Sequence, residues 1–210
     1  MGKIETWKIY GLIILISFIN IIIVNAILSD DIYVNTYSGQ LSTEMIAKIL
    51  AFKSKYQWIN YILIPVILIL KTGLIAAFLW VGSFMNNSKL EYKEYLRVVI
   101  MAELVFVFFS FIRTGGLYYY NFQTLIEIGQ FQPFTLFSLL DINNIPEYVH
   151  YPLSLISIPE AIYWIVLALL LKQLISGNIW NRIGFIAKTY GIGLLIWVSI
   201  VVFITLNFTT

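Results

Sequence analysis

The chain contains no cysteine and a single histidine. Disulfide scaffolding and thiolate chemistry are therefore excluded, and a metal centre, which takes three or four Cys, His or carboxylate ligands, finds no basis in one imidazole. Charge is the second shortage. Only 11% of residues are Asp, Glu, Lys or Arg, where a soluble domain carries about 25%. So little charge excludes a soluble enzyme, a disordered chain and a nucleic-acid binder with a basic surface. What fills the space is apolar: 60% of the residues are hydrophobic, 17% are aromatic, and the mean hydropathy is +0.86. This is the composition of a multi-pass membrane protein with no second domain.

In hydrocarbon every backbone polar group must be bonded internally, so long apolar runs become helices of about 20 residues. The sequence predicts an all-α polytopic bundle of about five spans. The first is Tyr10 to Leu28, longer than a signal-peptide core of about 7–15 residues and so read as a retained anchor. The second is Ile59 to Phe84, interrupted by Pro65 and Lys71. The third, Tyr95 to Ile112, follows the capping box Ser88-Lys89-Leu90-Glu91, contains Glu103, and stops at Arg113-Thr114-Gly115-Gly116. The fourth, from Ser157 to Ile175, starts with a second capping box, Ser157-Ile158-Pro159-Glu160, and closes at Ser176-Gly177-Asn178. The fifth is Thr189 to Phe208.

Lys and Arg near span ends are retained in the cytoplasm. With the N-terminal side inside, Lys3, Lys8, Lys89, Lys93, Arg97, Lys172, Arg182 and Lys188 are cytoplasmic, Lys48, Lys53, Lys55 and Arg113 are outside, and Lys71 is in the membrane. The balance favours N-in, C-out. Between the first two spans, residues 43–57 form an expected interfacial helix: Met45, Ile46, Ile49, Leu50 and Phe52 make an apolar stripe, and Ser42 can cap it. A solvated connecting helix is the alternative. The long connection 117–156 carries Tyr118-Tyr119-Tyr120, Phe122, Phe131, Phe134 and Phe137 with few charges, as expected of an outer loop that hugs or re-enters the membrane.

Ionisable groups within a span are costly and usually find a partner inside the bundle. Lys71 and Glu103 fall halfway along consecutive antiparallel spans and are expected to pair. The pair reads either as a proton or substrate relay or as a clamp on helix register; without further carboxylates or histidines beside it, the clamp is favoured. Arg113 and Glu160 sit at the outer ends of their spans and form a second candidate pair, although Glu160 already has a local role in its capping box. Gly184, Gly191, Gly193, Gly73, Ala76 and Ala77 would allow close helix approach. The myristoylation pattern Met1 to Thr6 and the sequons Asn86-Asn87-Ser88 and Asn207-Phe208-Thr209 are read as coincidental.

Enzyme chemistry lacks its residues. There is no G-x-S-x-G elbow, no H-E-x-x-H helix and no thiol nucleophile, and Asp30, Asp31 and Asp141 are scattered rather than clustered on a metal. No catalytic residue, metal or cofactor is assigned.

The link Ser88-Lys89-Leu90-Glu91-Tyr92-Lys93-Glu94-Tyr95-Leu96-Arg97-Val98-Val99, the block Ile158-Pro159-Glu160-Ala161-Ile162-Tyr163-Trp164-Ile165-Val166-Leu167-Ala168-Leu169-Leu170-Leu171, and the short basic link and final span after it resemble bacterial members of the Yip1 family of five-span membrane proteins. The resemblance covers about half the chain. It implies an N-in, C-out, non-enzymatic protein acting through partners. The functional expectation is a non-catalytic interaction or accessory subunit in a bacterial cytoplasmic membrane, with other membrane subunits or further copies of itself as partners. The rivals are a small transporter, permease subunit or channel using Lys71 and Glu103, and an immunity protein against a membrane-active peptide.

Overall fold

The computed structural model describes residues 3–84, 90–141 and 145–208. Among these residues every regular element is helical, and an isolated bridge between Thr135 and Ser157 is the only β feature. Four segments are long and apolar enough to cross a membrane: Glu5–Ile27, Trp58–Phe84, Tyr92–Tyr120 and Ile179–Phe208. They correspond to α1 (Lys3–Ile27), α4 (Trp58–Phe84), α5 and α6 (Tyr92–Ala102, Leu104–Tyr120), and α10 and α11 (Ile179–Ile186, Ile192–Phe208).

Three boundaries differ from the sequence expectation. The third run does not stop at Arg113. It continues through the two glycines to Tyr120 and ends at Asn121, whose left-handed backbone (φ 48°) supplies the terminus. Its start is set by Glu91, whose backbone N–H donates to the Glu94 carboxylate at 3.1 Å; Ser88 lies outside the described residues. The last segment begins about ten residues earlier than expected, at Ile179, because Asn178 caps it by accepting from the Asn181 N–H at 2.9 Å. Arg182 therefore sits inside a helix, buried, with its guanidinium donating to the Gly177 carbonyl at 2.9 Å, rather than at a solvated span end. The fourth run is shorter than expected: α9 covers Ile158–Leu170 and a 3₁₀ turn, Leu171–Gln173, completes it. The myristoylation pattern and both sequons include residues outside those described.

The remaining elements lie between spans. α2 (Asp30–Tyr37) and α3 (Thr43–Tyr56) fill the first connection, with Ser42 capping α3 as expected. Ile46 of the apolar stripe is buried, whereas Met45 and Phe52 are exposed. Lys53 ties α3 back to the end of α1: its ammonium donates to the Leu28 carbonyl (2.8 Å) and to Asp30 (2.9 Å) and sits over the Tyr33 ring. The long connection is largely structured, with α7 (Leu125–Gln130), a 3₁₀ turn at Leu136–Leu139 and α8 (Glu147–Leu155). α8 packs along α11, and the Trp197 indole N–H donates to the Tyr151 hydroxyl at 2.7 Å.

The main core lies where α4, α5, α9 and α10 meet, around Leu79, Tyr95, Val99, Tyr163, Leu167 and Ile186. Apolar burial does not drive helices together in lipid, so close packing and interhelical hydrogen bonds must. Three glycines make the tightest contacts, among them Gly116, where a β-carbon would meet the Phe131 ring at 2.6 Å. A β-carbon on Gly82 would meet Thr189 Cγ2 at 2.0 Å, and one on Gly193 would meet the Phe78 ring at 2.6 Å. Gly193 and Ala76 are thus interface residues as expected; Gly184 meets nothing within 4 Å. On the other side, α1 is fastened to α6 by buried Asn20, which donates to Ser110 (2.8 Å) and accepts from Thr114 (2.7 Å).

Candidate functional site

Lys71 is the central residue of α4, and Glu103 is the joint between α5 and α6. Because α4 packs along α5 over much of its length, the two side chains arrive at one level. The Lys71 ammonium lies 2.6 Å from a Glu103 carboxylate oxygen and 3.6 Å from the centre of the Phe106 ring. Glu103 is the more enclosed member, with 6% of its side chain exposed against 36% for Lys71. An ammonium over an aromatic face gains cation–π attraction that strengthens as water is removed, so Phe106 supports the charge that the carboxylate neutralises. The second Glu103 oxygen, Oε2, is buried and has no hydrogen-bond partner among the described residues.

Glu160 enters the same layer from α9. The Ser157 hydroxyl accepts from the Glu160 N–H at 3.2 Å, one half of the expected capping box. The reciprocal half is not made: the Glu160 carboxylate turns inward and accepts from the Trp164 indole N–H and the Tyr190 hydroxyl, both at 2.8 Å. Glu160 and Trp164 are one helical turn apart, so the first bond is local geometry. Tyr190 comes from a π-helical turn, Ala187–Gly191, between α10 and α11. Such turns insert one residue per turn and re-aim the side chains they carry; here Tyr190 is directed at α9.

Aromatic contacts join the two carboxylates into one layer. Phe106 packs on Tyr163 with ring centres 4.8 Å apart, and Tyr163 packs edge-on against Tyr190 at 5.8 Å. The Tyr163 hydroxyl, fully buried, has no hydrogen-bond partner among the described residues. From α1, Tyr10 approaches Thr72 at 3.4 Å. Each long segment and α9 therefore contributes a polar or charged side chain to this layer, and two departures from α-helical geometry lie beside it, the π-turn and the break before α9.

The structure brings Lys71 and Glu103 together. It does not bring Arg113 and Glu160 together, which corrects the second expected pair. Arg113 donates from Nε to the Phe131 carbonyl at 3.1 Å, because α6 continues past it and α7 folds back over it, while Glu160 faces the bundle. His150 stands apart, 3.0 Å from the Ile145 carbonyl and edge-on to Phe137. Among the described residues no group of three His, Asp or Glu could hold a metal. Sequence reasoning missed Tyr163, Trp164 and Tyr190. The spacing of Glu160, Tyr163 and Trp164 on one helical face was a usable signal; a π-turn leaves none.

No family model, curated protein or solved structure matches this chain. The functional reading therefore rests on the residues and their geometry.

Proposed function

We propose that this chain is a five-crossing, N-in and C-out, non-catalytic integral membrane protein that serves as an interaction or accessory subunit in a bacterial cytoplasmic membrane. Four crossings are the long helices. For the fifth we take α8 and α9 together as one broken crossing antiparallel to α10 and α11, a path supported by Tyr151 meeting Trp197 and by Tyr163 and Trp164 meeting Tyr190 further along. Exposed backbone at the break would be costly in lipid. It is bonded: the Ile156 carbonyl accepts from the Leu136 N–H, and the Ile158 N–H donates to the Phe134 carbonyl, both at 2.8 Å. The likeness to the Yip1 family in residues 88–99 and 158–171 belongs to the same reading.

The observation that carries it is the commitment of each charged group in the layer to another element of the same bundle, Lys71 to Glu103 and Glu160 to Tyr190. That arrangement suits a clamp holding a rigid scaffold for partners. A second reading, a small carrier, is favoured by one specific observation: a second carboxylate, Glu160, shares the layer with Glu103, whose Oε2 is buried with no hydrogen-bond partner among the described residues. Mild-detergent purification of the wild type and of Lys71→Met combined with Glu103→Gln separates the readings. An accessory subunit retains a stoichiometric partner protein in both forms. A homogeneous wild type that conducts ions or solute in proteoliposomes, and a folded double variant that does not, would replace the accessory reading with the carrier.

A further inference from the structure

Above the ion pair, α4 and α6 part company. α4 packs against α5 and α1 and meets α6 at the Lys71–Phe106 contact; beyond that level a crevice of about 610 Å³ opens between α1, α4 and α6. Its deep end is the Lys71–Glu103 pair, its walls combine Ile21, Ile64 and Ile67 with the mutually hydrogen-bonded Asn20 and Thr114, and Asn60 and Arg113 lie toward its other end. Ile67 and Leu63 are well exposed, so the crevice opens sideways from the bundle toward surrounding lipid.

Its dimensions match one leaflet. At about 1.5 Å of rise per residue, Arg113 stands about 15 Å beyond Glu103 along α6, and Asn60 about 16 Å beyond Lys71 along α4. Half of a hydrocarbon core is about 15 Å. If the ion pair marks the midplane, Asn60 and Arg113 lie at the boundary with the headgroups. A partner helix crossing the whole bilayer would run past the floor of this crevice, whereas an acyl chain ends there. That end supplies the charge. Among the described residues no carboxylate forms an ion pair with Arg113, and its bond to the Phe131 carbonyl uses one of five guanidinium N–H donors.

We infer that this crevice binds one anionic phospholipid from the leaflet on the Arg113 side, with an acyl chain between α1, α4 and α6 and the phosphate on the Arg113 guanidinium. A planar guanidinium matches two phosphate oxygens at once. The walls, apolar apart from Ser17, Asn20, Ser110 and Thr114 whose polar groups are already hydrogen-bonded within the protein, end on a neutralised ion pair and accept a hydrocarbon tail without stranding a charge. The inference does not depend on whether the protein is an accessory subunit or a carrier.

The test is native mass spectrometry of the full chain, purified in mild detergent and offered an equimolar mixture of phosphatidylglycerol and phosphatidylcholine with identical acyl chains. The wild type should retain one lipid per chain with phosphatidylglycerol preferred. Arg113→Gln should reduce that preference about tenfold, as expected for loss of a charge-assisted phosphate contact, and Arg113→Lys should keep part of it. Ile67→Trp, which fills the crevice and leaves Arg113 intact, should lower retention of both lipids. Equal retention of the two lipids by the wild type, unchanged preference in Arg113→Gln, or undiminished binding in Ile67→Trp would each overturn the assignment. So would displacement of the lipid by inorganic phosphate alone, which would place the affinity in the headgroup and none in the crevice. Should Arg113→Gln fail to fold by circular dichroism, Ile67→Trp decides the outcome.

Discussion

Replacing Lys71 by methionine preserves most of the length of the side chain and removes the ammonium, leaving Glu103 with 6% of its side chain exposed and no counter-charge. Removing one partner of a buried pair typically destabilises by about 3–5 kcal/mol, because the survivor is left uncompensated. Glu103→Gln strands Lys71 instead, but Lys71 is 36% exposed and faces the crevice. Its four-carbon stem can carry the ammonium toward the other end of the crevice, so we expect a smaller loss, about 1–2 kcal/mol. The double variant, Lys71→Met with Glu103→Gln, places two uncharged side chains of similar volume in the layer and strands no charge. It should be more stable than Lys71→Met alone. The expected order of damage is therefore Lys71→Met, then Glu103→Gln, with the double variant no worse than the second. The absence of cysteine makes this convenient to follow by intrinsic tryptophan fluorescence during thermal or denaturant unfolding in a fixed detergent, with no thiol oxidation to confuse the record. The coupling this order implies is at least the whole Lys71→Met loss, about 3–5 kcal/mol, well above the roughly 0.3–0.5 kcal/mol within which independent sites usually add. Simple additivity of the two single losses would refute the clamp, and with it the idea that burial of Glu103 depends on Lys71.

Four further outcomes follow from particular contacts. Gly82→Ala places a methyl where Thr189 Cγ2 would lie 2.0 Å away, an overpacking worth about 1–3 kcal/mol; adding Thr189→Ser, which deletes that methyl, should restore most of the lost melting temperature, and failure to do so would show that the contact is not the cause. Glu160→Ala removes the acceptor of both the Trp164 and Tyr190 bonds, each worth about 1.5–3 kcal/mol to a charged group, and should shift tryptophan emission and lower the unfolding midpoint, while Glu160→Gln, which keeps a carbonyl acceptor, should recover much of both. Asn20→Ala breaks the fastening of α1 to α6; interhelical hydrogen bonds in bilayers average about 0.6 kcal/mol each, so a loss of about 1 kcal/mol is expected, and one near zero would argue that α1 is held by packing alone. Single cysteines at Lys8 and Asn207, introduced into this cysteine-free background, should react with a membrane-impermeant maleimide from opposite sides of sealed vesicles; reaction from the same side would leave an even number of crossings and remove the broken fifth one.

What could be read along the chain was what repeats locally. The apolar runs of α1 and α4 are visible because hydrocarbon admits only internally bonded backbone, and their residues carry that requirement one by one. The depth of Lys71 and Glu103 follows from counting along the second and third runs, which is why their meeting could be expected. The Ser42 and Ser157 caps are equally local, since each is closed within one turn.

The rest depends on which surfaces face each other. The direction taken by the Glu160 carboxylate was decided by Tyr190, thirty residues further on and aimed by a π-turn that no local pattern announces. Arg113 found a carbonyl of the folded-back connection in place of a carboxylate, because α6 runs on past its two glycines. Gly82 proved more crowded than the glycines singled out by spacing, since what matters there is the side chain that the opposite helix presents. Hydropathy and capping act over a few residues and are written in sequence order. A shared polar layer and a leaflet-deep crevice exist only once separate helices have been set side by side.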